Sequence, residues 1–387
     1  MLINELLDDC LLAIFDKINN LDDLINCYKV CVKWSHLIAV RTKKVKYFMA
    51  KPAKTDFSTD YVYCEGRYRI DGTCLSLLFP NLIIVQFSMD FFFGVNFGDV
   101  VTFFRNLDSL KGIITSSREE IEKYCDKFEM LSTNFIEPHF LHNCFSLKQL
   151  HIQNAYHFIK RKSRFFPNLE RLHIDAFDSF PDRYYHGPVL TKLKILELAL
   201  YSNSDSAIYV FQFMDSCPNL QSAHIRLNSH RFFVDETLKH KFLQDLVIDF
   251  NRNNQIDWNN LKRLIMKYPN LKHLSLRSTG SIKDEHIEQL VRILPNLVLL
   301  DIFLCPGVTQ KAADFVTDYC KRYGRSLKFY FDKNFNEIKS DWPQLSIKSE
   351  KIGRAFDFME HCFLKDFADL PHFLIPIAST FHSYCYF

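Results

Sequence analysis

The chain has 387 residues, of which 48% are hydrophobic and 24% charged, and its formal net charge is +3. This apolar fraction argues against extensive disorder, and the small net charge argues against a surface specialised for nucleic acid. The twelve cysteines are scattered without a Cys-x-x-Cys pair, which is typical of reduced thiols inside a cell. The first residues carry acids and no basic region, and no apolar run is long enough to cross a bilayer. These features predict a cytoplasmic or nuclear protein without a signal peptide or a membrane span.

The apolar pattern of residues 5–38 predicts three short helices. Asn20-Leu-Asp-Asp separates the first two, because these residue types cap helices. The apolar positions of the three helices are Leu11, Leu12, Ile14, Phe15, Ile18, Leu24, Ile25, Tyr28, Val30, Cys31, Trp34, Leu37 and Ile38. A unit of this size buries too little apolar area to be stable alone. It is therefore either a helical cap over a following repeat or a docking module whose exposed apolar side chains a partner covers.

A repeated phrase governs the rest of the chain. Residues Pro269–Leu276 read Pro-Asn-Leu-Lys-His-Leu-Ser-Leu, and Pro295–Ile302 read Pro-Asn-Leu-Val-Leu-Leu-Asp-Ile. Between them, apolar residues at helical spacing predict a helix over Asp284–Leu294. One unit is thus a strand, a turn and a helix. Because a single strand cannot bury its leucine face alone, the copies must stack as a solenoid.

The first leucine position of each copy serves as its anchor. The anchors are Leu82, Leu110, Phe128, Leu147, Leu169, Leu193, Leu220, Leu243, Leu271, Leu297 and Leu327. From Leu147 onward their spacings are 22, 24, 27, 23, 28, 26 and 30 residues, close to the 20–29 of leucine-rich repeats. The sequence predicts no definite structure for residues 46–80, and residues 90–145 match the phrase poorly.

The end of the chain is rich in aromatic residues. From Ala355 these are Phe356, Phe358, Phe363, Phe367, Phe373, Phe381, Tyr384, Tyr386 and Phe387. A solenoid exposes the edge of its core at its last repeat unless another segment covers that edge. We therefore interpret residues 333–387 as a C-terminal cap. The alternative is a tail that folds back onto the concave face.

No residue pattern indicates catalysis, a cofactor or a metal site. The chain has only ten glycines and no phosphate-binding loop, and His139-x-x-His142-x-Cys144 lacks a second ligand pair of zinc-site spacing. We therefore expect a protein that is not an enzyme and needs no cofactor.

The candidate substrate face consists of strand residues that point away from the leucine core. A residue between the second and third leucine positions faces the concave side, because side chains alternate along a strand. With the next outward position included, the candidate residues are His151, His173, Glu197, His224, Arg226, Asp249, Arg277 and Asp301. Three histidines in one column also allow a face that responds to pH or binds metal, and an ordinary mixed polar surface is the alternative.

Three N-terminal segments resemble an F-box. They are Glu5–Ile18 with its Ile14-Phe15 pair, Leu21-Asp-Asp-Leu24, and Val30-Cys-Val-Lys-Trp34; Leu7 stands where the family usually has proline. The repeats are similar to those of F-box leucine-rich repeat proteins, including the cysteine-containing stretch Cys305-Pro-Gly-Val-Thr309.

The repeats and the resemblance together predict a four-part α/β chain. Residues 1–45 would form an F-box-like three-helix module and 46–80 an irregular linker or N-terminal cap. Residues 81–332 would form a leucine-rich repeat solenoid with parallel strands on the concave face and helices on the convex face, and 333–387 the cap.

The resemblance further implies a substrate receptor of an SCF-type ubiquitin ligase. The module would hold a Skp-type adaptor and, through it, a cullin scaffold, while the solenoid would hold a protein substrate that the sequence does not identify. The adaptor-contact candidates are Leu6, Leu11, Ile14, Phe15, Leu24, Val30, Cys31 and Trp34. Two alternatives stay open: a repeat scaffold outside ubiquitin transfer, and an enzyme whose site is assembled across repeats.

Overall fold

The chain forms two compact units, Met1–Ile152 and Gln153–Phe387, which are considered one at a time. The computed structural model describes residues 3–52, 58–65, 72–87, 97–115, 126–134, 144–153, 165–176, 185, 187–200, 208–250, 255–345 and 350–376. Within these ranges, no helix has both the length and the apolar character needed to cross a membrane.

The first unit begins with a helical module. A 3-10 turn at Ile3–Glu5 precedes helices α1 (Asp8–Phe15), α2 (Leu21–Tyr28) and α3 (Val32–Thr42). The side chain of Asn20 caps α2 by accepting a hydrogen bond from the backbone N–H of Asp22 at 2.8 Å, as the sequence predicts.

The strands of the first unit form one parallel sheet. They are β1 (Tyr47–Met49), β2 (Tyr61–Tyr63), β3 (Ile84–Phe87), β4 (Gly112–Thr115), β5 (Met130–Thr133) and β6 (Gln149–Gln153). Helices α4 (Gly72–Leu78) and α5 (Phe97–Asn106) lie between strands in the chain. The order is β2-β1-β3-β4-β5-β6, so β1 pairs with both β2 and β3. The described part of residues 46–80, which the sequence predicted as an irregular linker or N-terminal cap, supplies two strands and a helix.

The second unit carries a regular parallel sheet in chain order. Its strands are β7 (Arg171–Ala176), β8 (Ile195–Leu200), β9 (Ser222–Leu227), β10 (Asp245–Phe250), β11 (His273–Arg277), β12 (Leu299–Phe303) and β13 (Lys328–Phe331). Its connecting helices are α6 (Val210–Asp215), α7 (Trp258–Ile265), α8 (Asp284–Ile293) and α9 (Gln310–Tyr323).

The repeat prediction is confirmed by strand position and burial. Each anchor from Leu82 to Leu297 lies two residues before a strand, Leu327 directly precedes β13, and all eleven anchors are buried. In the Pro-Asn pairs at 218–219 and 269–270, the asparagine links neighbouring repeats. Its side-chain amide donates a hydrogen bond to a backbone carbonyl of the preceding repeat. Asn219 donates to the carbonyl of Thr191 at 2.7 Å, and Asn270 to that of Lys241 at 2.8 Å. The fold is therefore an α/β leucine-rich repeat solenoid, with helices before its first strands.

The C-terminal residues form short elements. They are 3-10 turns at Phe335–Glu337, Pro343–Leu345 and Phe367–Asp369, helices α10 (Ile338–Asp341) and α11 (Phe358–His361), and strands β14 (Ile352–Gly353) and β15 (Phe373–Leu374). Strands β14 and β15 pair with each other in parallel. The last four aromatic residues of the proposed cap, Phe381 to Phe387, lie outside the described residues.

Candidate functional site

The helical module separates the adaptor-contact candidates into buried and accessible residues. Leu11, Phe15 and Leu24 are buried and pack the three helices together. Ile14 and Val30 are exposed, the former by 42%, and three others are partly exposed: Leu6, Cys31 and Trp34. Sequence alone did not separate these two roles.

An apolar patch crosses the exposed side of the module. Leu7, Cys10 and Ile14 are three and four residues apart and share one side of α1, with Leu7 76% exposed. Val30 lies just before α3, and Val32, the first residue of that helix, is 72% exposed. We call these five residues the apolar patch.

Lys33 joins the two parts of the patch. Its ammonium donates to the carbonyl of Leu6 at 2.9 Å and lies 3.1 Å from the carboxylate of Asp8. The residues before α1 and the first turn of α3 are therefore adjacent.

Trp34 has a double role in the module. Its ring meets Phe15 edge-on at 5.0 Å, which ties α3 to the core of α1. The indole N–H is buried and has no hydrogen-bond partner among the described residues.

Arg41 fixes the module to the first strands, a role that the sequence did not indicate. Its buried guanidinium donates to the carbonyl of Phe15 at 3.3 Å, to the side chain of Asn19 at 2.9 Å, and to the carbonyls of Thr59 and Tyr61. Burial lowers the pKa of Arg41, and the nearby carboxylate of Asp16 opposes that effect. Because these acceptors include Thr59 and Tyr61, the module is hydrogen-bonded to the chain at and just before β2.

Leu7 has the backbone conformation of a proline. It is the N-cap of α1 with φ −61° and ψ 151°, and proline fixes φ near −65°. We expect Leu7→Pro to raise the free energy of unfolding by about 0.5 kcal/mol, because proline restricts the unfolded chain. Urea denaturation of the full chain measures this, with Leu7→Ala as the control for loss of the side chain. A loss of stability beyond that of Leu7→Ala would contradict it.

In the second unit, the predicted column is a set of directly paired strand positions. His173, Glu197, His224, Val247, Ser275 and Asp301 are register partners on β7 to β12. The alternate positions, such as Leu172 and Ile174, are apolar and buried. We call the side that carries Arg171, His173, Glu197, His224, Ser275, Arg277 and Asp301 the polar face.

The polar face is covered by residues 350–376, which we call the C-terminal segment. Phe358, Cys362, Phe363, Phe367, Leu370 and Leu374 belong to one buried cluster with the sheet residues Ile195, Ala199, Val247, Leu299 and Tyr330. All seven residues that define the polar face are buried. As a substrate surface they stay a prediction, because their described contacts are with one another and with this segment.

Arg171 and Glu197 form the first centre of the polar face. One guanidinium nitrogen of Arg171 lies 2.9 and 2.7 Å from the two carboxylate oxygens of Glu197, and Nδ1 of His173 lies 3.0 Å from that carboxylate. Burial acts to raise the pKa of Glu197, but Arg171 and His173 outweigh it and lower this pKa to about 2. Arg171 also donates to the carbonyls of Pro371 at 2.6 Å and His372 at 3.1 Å.

Arg277 and Asp301 form the second centre. Nε of Arg277 donates to Ser275 at 2.8 Å and lies 3.4 Å from Asp301, which also accepts from Ser275 at 2.7 Å. The terminal nitrogens of Arg277 donate to the carbonyls of Phe363 at 2.6 Å and Lys365 at 2.9 Å. Burial raises the pKa of Asp301, and Arg277 opposes that shift.

His224 lies between the two centres. Phe367 meets it edge-on at 5.5 Å, and the same ring packs in a tilted arrangement against His173 at 4.7 Å. Burial, followed by the charge of Arg277, lowers the pKa of His224 well below its usual value, so the ring is neutral near pH 7. Neither ring nitrogen has a hydrogen-bond partner among the described residues.

Of the remaining candidates, two lie beside Arg277 on the same side of the sheet and one lies in the first unit. Arg226 and Asp249 are partly exposed and 3.7 Å apart. Buried His151 lies in the first unit, where its Nδ1 is 3.2 Å from the hydroxyl of Ser132. In the described part of the chain, no three His, Cys, Asp or Glu side chains are grouped to bind a metal; His139 and His142 lie outside it.

Comparisons with known proteins find similar solved structures but no matching family. No protein-family model and no curated protein matches the chain. An internalin from Listeria monocytogenes is similar over 80% of this chain and 93% of its own, with 14% identity and a TM-score of 0.43. The Rad7 and Elc1 complex in yeast is similar over 85% of this chain and 94% of the other, with 16% identity and a TM-score of 0.40. The leucine-rich repeat-containing protein LegL7 from Legionella pneumophila is similar over 74% of this chain and 91% of its own, with 10% identity and a TM-score of 0.36.

Proposed function

We propose that this protein is the substrate-recognition subunit of an SCF-type ubiquitin ligase. Its N-terminal module would dock a Skp-type adaptor and, through it, a cullin scaffold, and its repeats would bind the protein substrate. The protein would be non-catalytic and would bring the substrate close to another protein's chemistry.

The apolar patch carries the proposal. Leu7, Ile14, Val30 and Val32 are exposed hydrophobic residues on a module whose segments resemble an F-box. Contiguous exposed apolar side chains generally mark interaction sites. Buried Leu11, Phe15 and Leu24 support the patch from beneath, as a rigid docking surface requires.

Co-purification tests the proposal. The full-length chain and an Ile14→Glu/Val32→Glu variant are each co-expressed with a Skp-type adaptor. The full chain is used instead of an N-terminal fragment, because Arg41 of the module is hydrogen-bonded to Thr59 and Tyr61. We expect the wild type to retain the adaptor stoichiometrically. The variant should lose it by at least roughly tenfold, since a carboxylate desolvated at an apolar interface is unfavourable.

Val189→Glu is the matched control, because Val189 is exposed and lies in the other unit. It should retain the adaptor like the wild type, and all three proteins should show the same thermal unfolding. Absence of the adaptor from the wild type, or its full retention by the double variant, would rule out the ligase role.

A repeat scaffold is the second candidate function. The attachment of the helices to the strands favours it, because Arg41 and the bridge between Asn20 and Tyr63 also suit a plain cap of the sheet. A wild-type chain that binds no Skp-type adaptor while staying folded is the result expected of a scaffold.

A further inference from the structure

The polar face differs from the rest of the repeat core in composition. The sheet positions opposite to it are apolar on every strand from β7 to β12 and include Leu172, Leu246 and Leu300. The polar face instead buries two arginines, two acids and two histidines. Burying charged groups is unfavourable unless they are paired, so this is an unusual composition for a surface that serves only as core.

The arginines bind backbone carbonyls of the C-terminal segment. Arg277 donates to the carbonyls of Phe363 and Lys365, and Arg171 to those of Pro371 and His372. The two arginines are on β11 and β7, roughly 19 Å apart at the usual strand spacing. Contacts to the backbone do not depend on which side chains a bound segment carries.

Aromatic side chains supply the selective contacts. Phe367 packs against His173 with the two rings tilted and meets His224 edge-on, and Phe363 meets His273 at 6.0 Å. These two phenylalanines are four residues apart, and Leu370 follows in the same buried cluster. Phe358 also meets His224 edge-on at 6.5 Å, so the face contacts three aromatic side chains of the segment, of which Phe363 and Phe367 belong to the stretch held by Arg277 and Arg171.

The C-terminal segment is an imperfect cover for this face. Both ring nitrogens of His224, Nε of Arg171 and one carboxylate oxygen of Asp301 are buried with no hydrogen-bond partner in the described residues. Each unpaired buried polar atom is destabilising. The segment also forms its own small sheet from β14 and β15, separate from the strands that it covers.

We propose that the polar face is a peptide-binding site that the C-terminal segment occupies as an internal ligand. The external ligand is a protein segment with two aromatic residues four positions apart and a following aliphatic residue. Arg171 and Arg277 hold its carbonyls. This deepens the proposed function by naming the substrate class, and rests on that function only for the identification of the ligand as a substrate.

A cleavable full-length chain tests the site. A protease recognition sequence is inserted between Leu345 and Glu350, the chain is folded intact, and it is then cut. The probe is a fluorescent synthetic peptide of residues 350–376. We expect it to bind the cut chain one-to-one, and the uncut chain at least about tenfold more weakly, because the tethered segment competes at a high effective concentration.

Variants of the peptide test which side chains the polar face recognises. Because the substitutions are in the peptide, they cannot cause the chain itself to misfold. Phe367→Ala in the peptide should weaken binding by at least about tenfold, and Phe363→Ala/Phe367→Ala further, because buried aromatic anchors dominate such interfaces. Asp369→Asn is the control, since Asp369 is exposed, and it should change affinity by less than about threefold.

Three results would overturn the proposal: the cut chain never exchanges its segment for the peptide, it unfolds when the segment leaves, or the Phe363→Ala/Phe367→Ala peptide binds as tightly as the unmodified peptide. The purified chain is used without adaptor. If the chain binds the adaptor but not the peptide, the proposed function stands and the peptide-binding site is wrong. If it binds the peptide but not the adaptor, the peptide-binding site stands and the ligase role is wrong.

Discussion

Replacing Asp215 with alanine is expected to lower the free energy of unfolding by about 3–5 kcal/mol, because it leaves a buried ammonium without its counterion. The ammonium of Lys267 lies 2.6 and 2.8 Å from the two carboxylate oxygens of Asp215, and Nε2 of His240 lies 2.8 Å from the same carboxylate. All three side chains are almost completely buried. Urea denaturation of the full-length chain, followed by circular dichroism, measures the change.

Two controls separate burial from charge. Glu236→Ala removes an acid whose partner, Arg263, is on the surface, and exposed pairs contribute only about 0–1 kcal/mol. Asp215→Leu/Lys267→Met removes both buried charges and should recover part of the loss, because no uncompensated charge is left. A loss from Asp215→Ala no larger than that from Glu236→Ala would contradict the assignment.

The repeat architecture could be predicted because its signal is local. Leu169, Leu193 and Leu220 each lie two residues before a strand in the sequence, and the structure confirms all three as buried strand anchors. Even the poorly matching Leu110 and Phe128 precede β4 and β5. One short phrase determines both which residues are buried and how successive strands pair.

The sequence offered a tail on the concave face only as an alternative, because the burial of the polar face depends on contacts distant in sequence. Arg171 and His372 are 201 residues apart, and nothing near either residue indicates their hydrogen bond. The strand pattern gave the correct side for His173 and Glu197, but it carries no information on what covers that side. Periodicity reports which residues share a face, whereas burial depends on the whole chain.

For the same reason, the sequence could not show which residues of the N-terminal module are exposed and which form its core. The F-box-like pattern identified Leu11, Ile14 and Phe15 together, and only packing shows that Ile14 faces solvent while the other two form core. Arg41 belongs to a basic run that is typical of a solvated helix end. Its burial follows from carbonyl groups contributed by residues up to Tyr61.

Acid should destabilise the protein through Glu197. The folded-state pKa of this carboxyl is lowered to about 2, from an ordinary value of 4.5, so the charged form is favoured in the native state. A group with a lowered native pKa stabilises the fold above its unfolded pKa and loses that contribution as the pH falls toward its folded pKa. The contribution is therefore complete above about pH 5 and disappears by about pH 2. It amounts to about 3 kcal/mol, since each pKa unit corresponds to 1.36 kcal/mol.

Glu197→Gln isolates this effect, because glutamine does not titrate while His224, Asp249 and Asp301 titrate in both proteins. Urea denaturation at pH 7 and pH 3 should show that the wild type loses more stability than the variant, by about 1–2 kcal/mol over this partial range. At pH 7 the variant should be the less stable protein, because Arg171 is then buried without a full counterion. Hydrogen exchange at the amides of His372 and Phe373 provides a local readout, since both donate to the carbonyl of Lys351 beside the contacts of Arg171. Equal pH dependence in the two proteins would show that Glu197 titrates normally and is not held by Arg171 and His173.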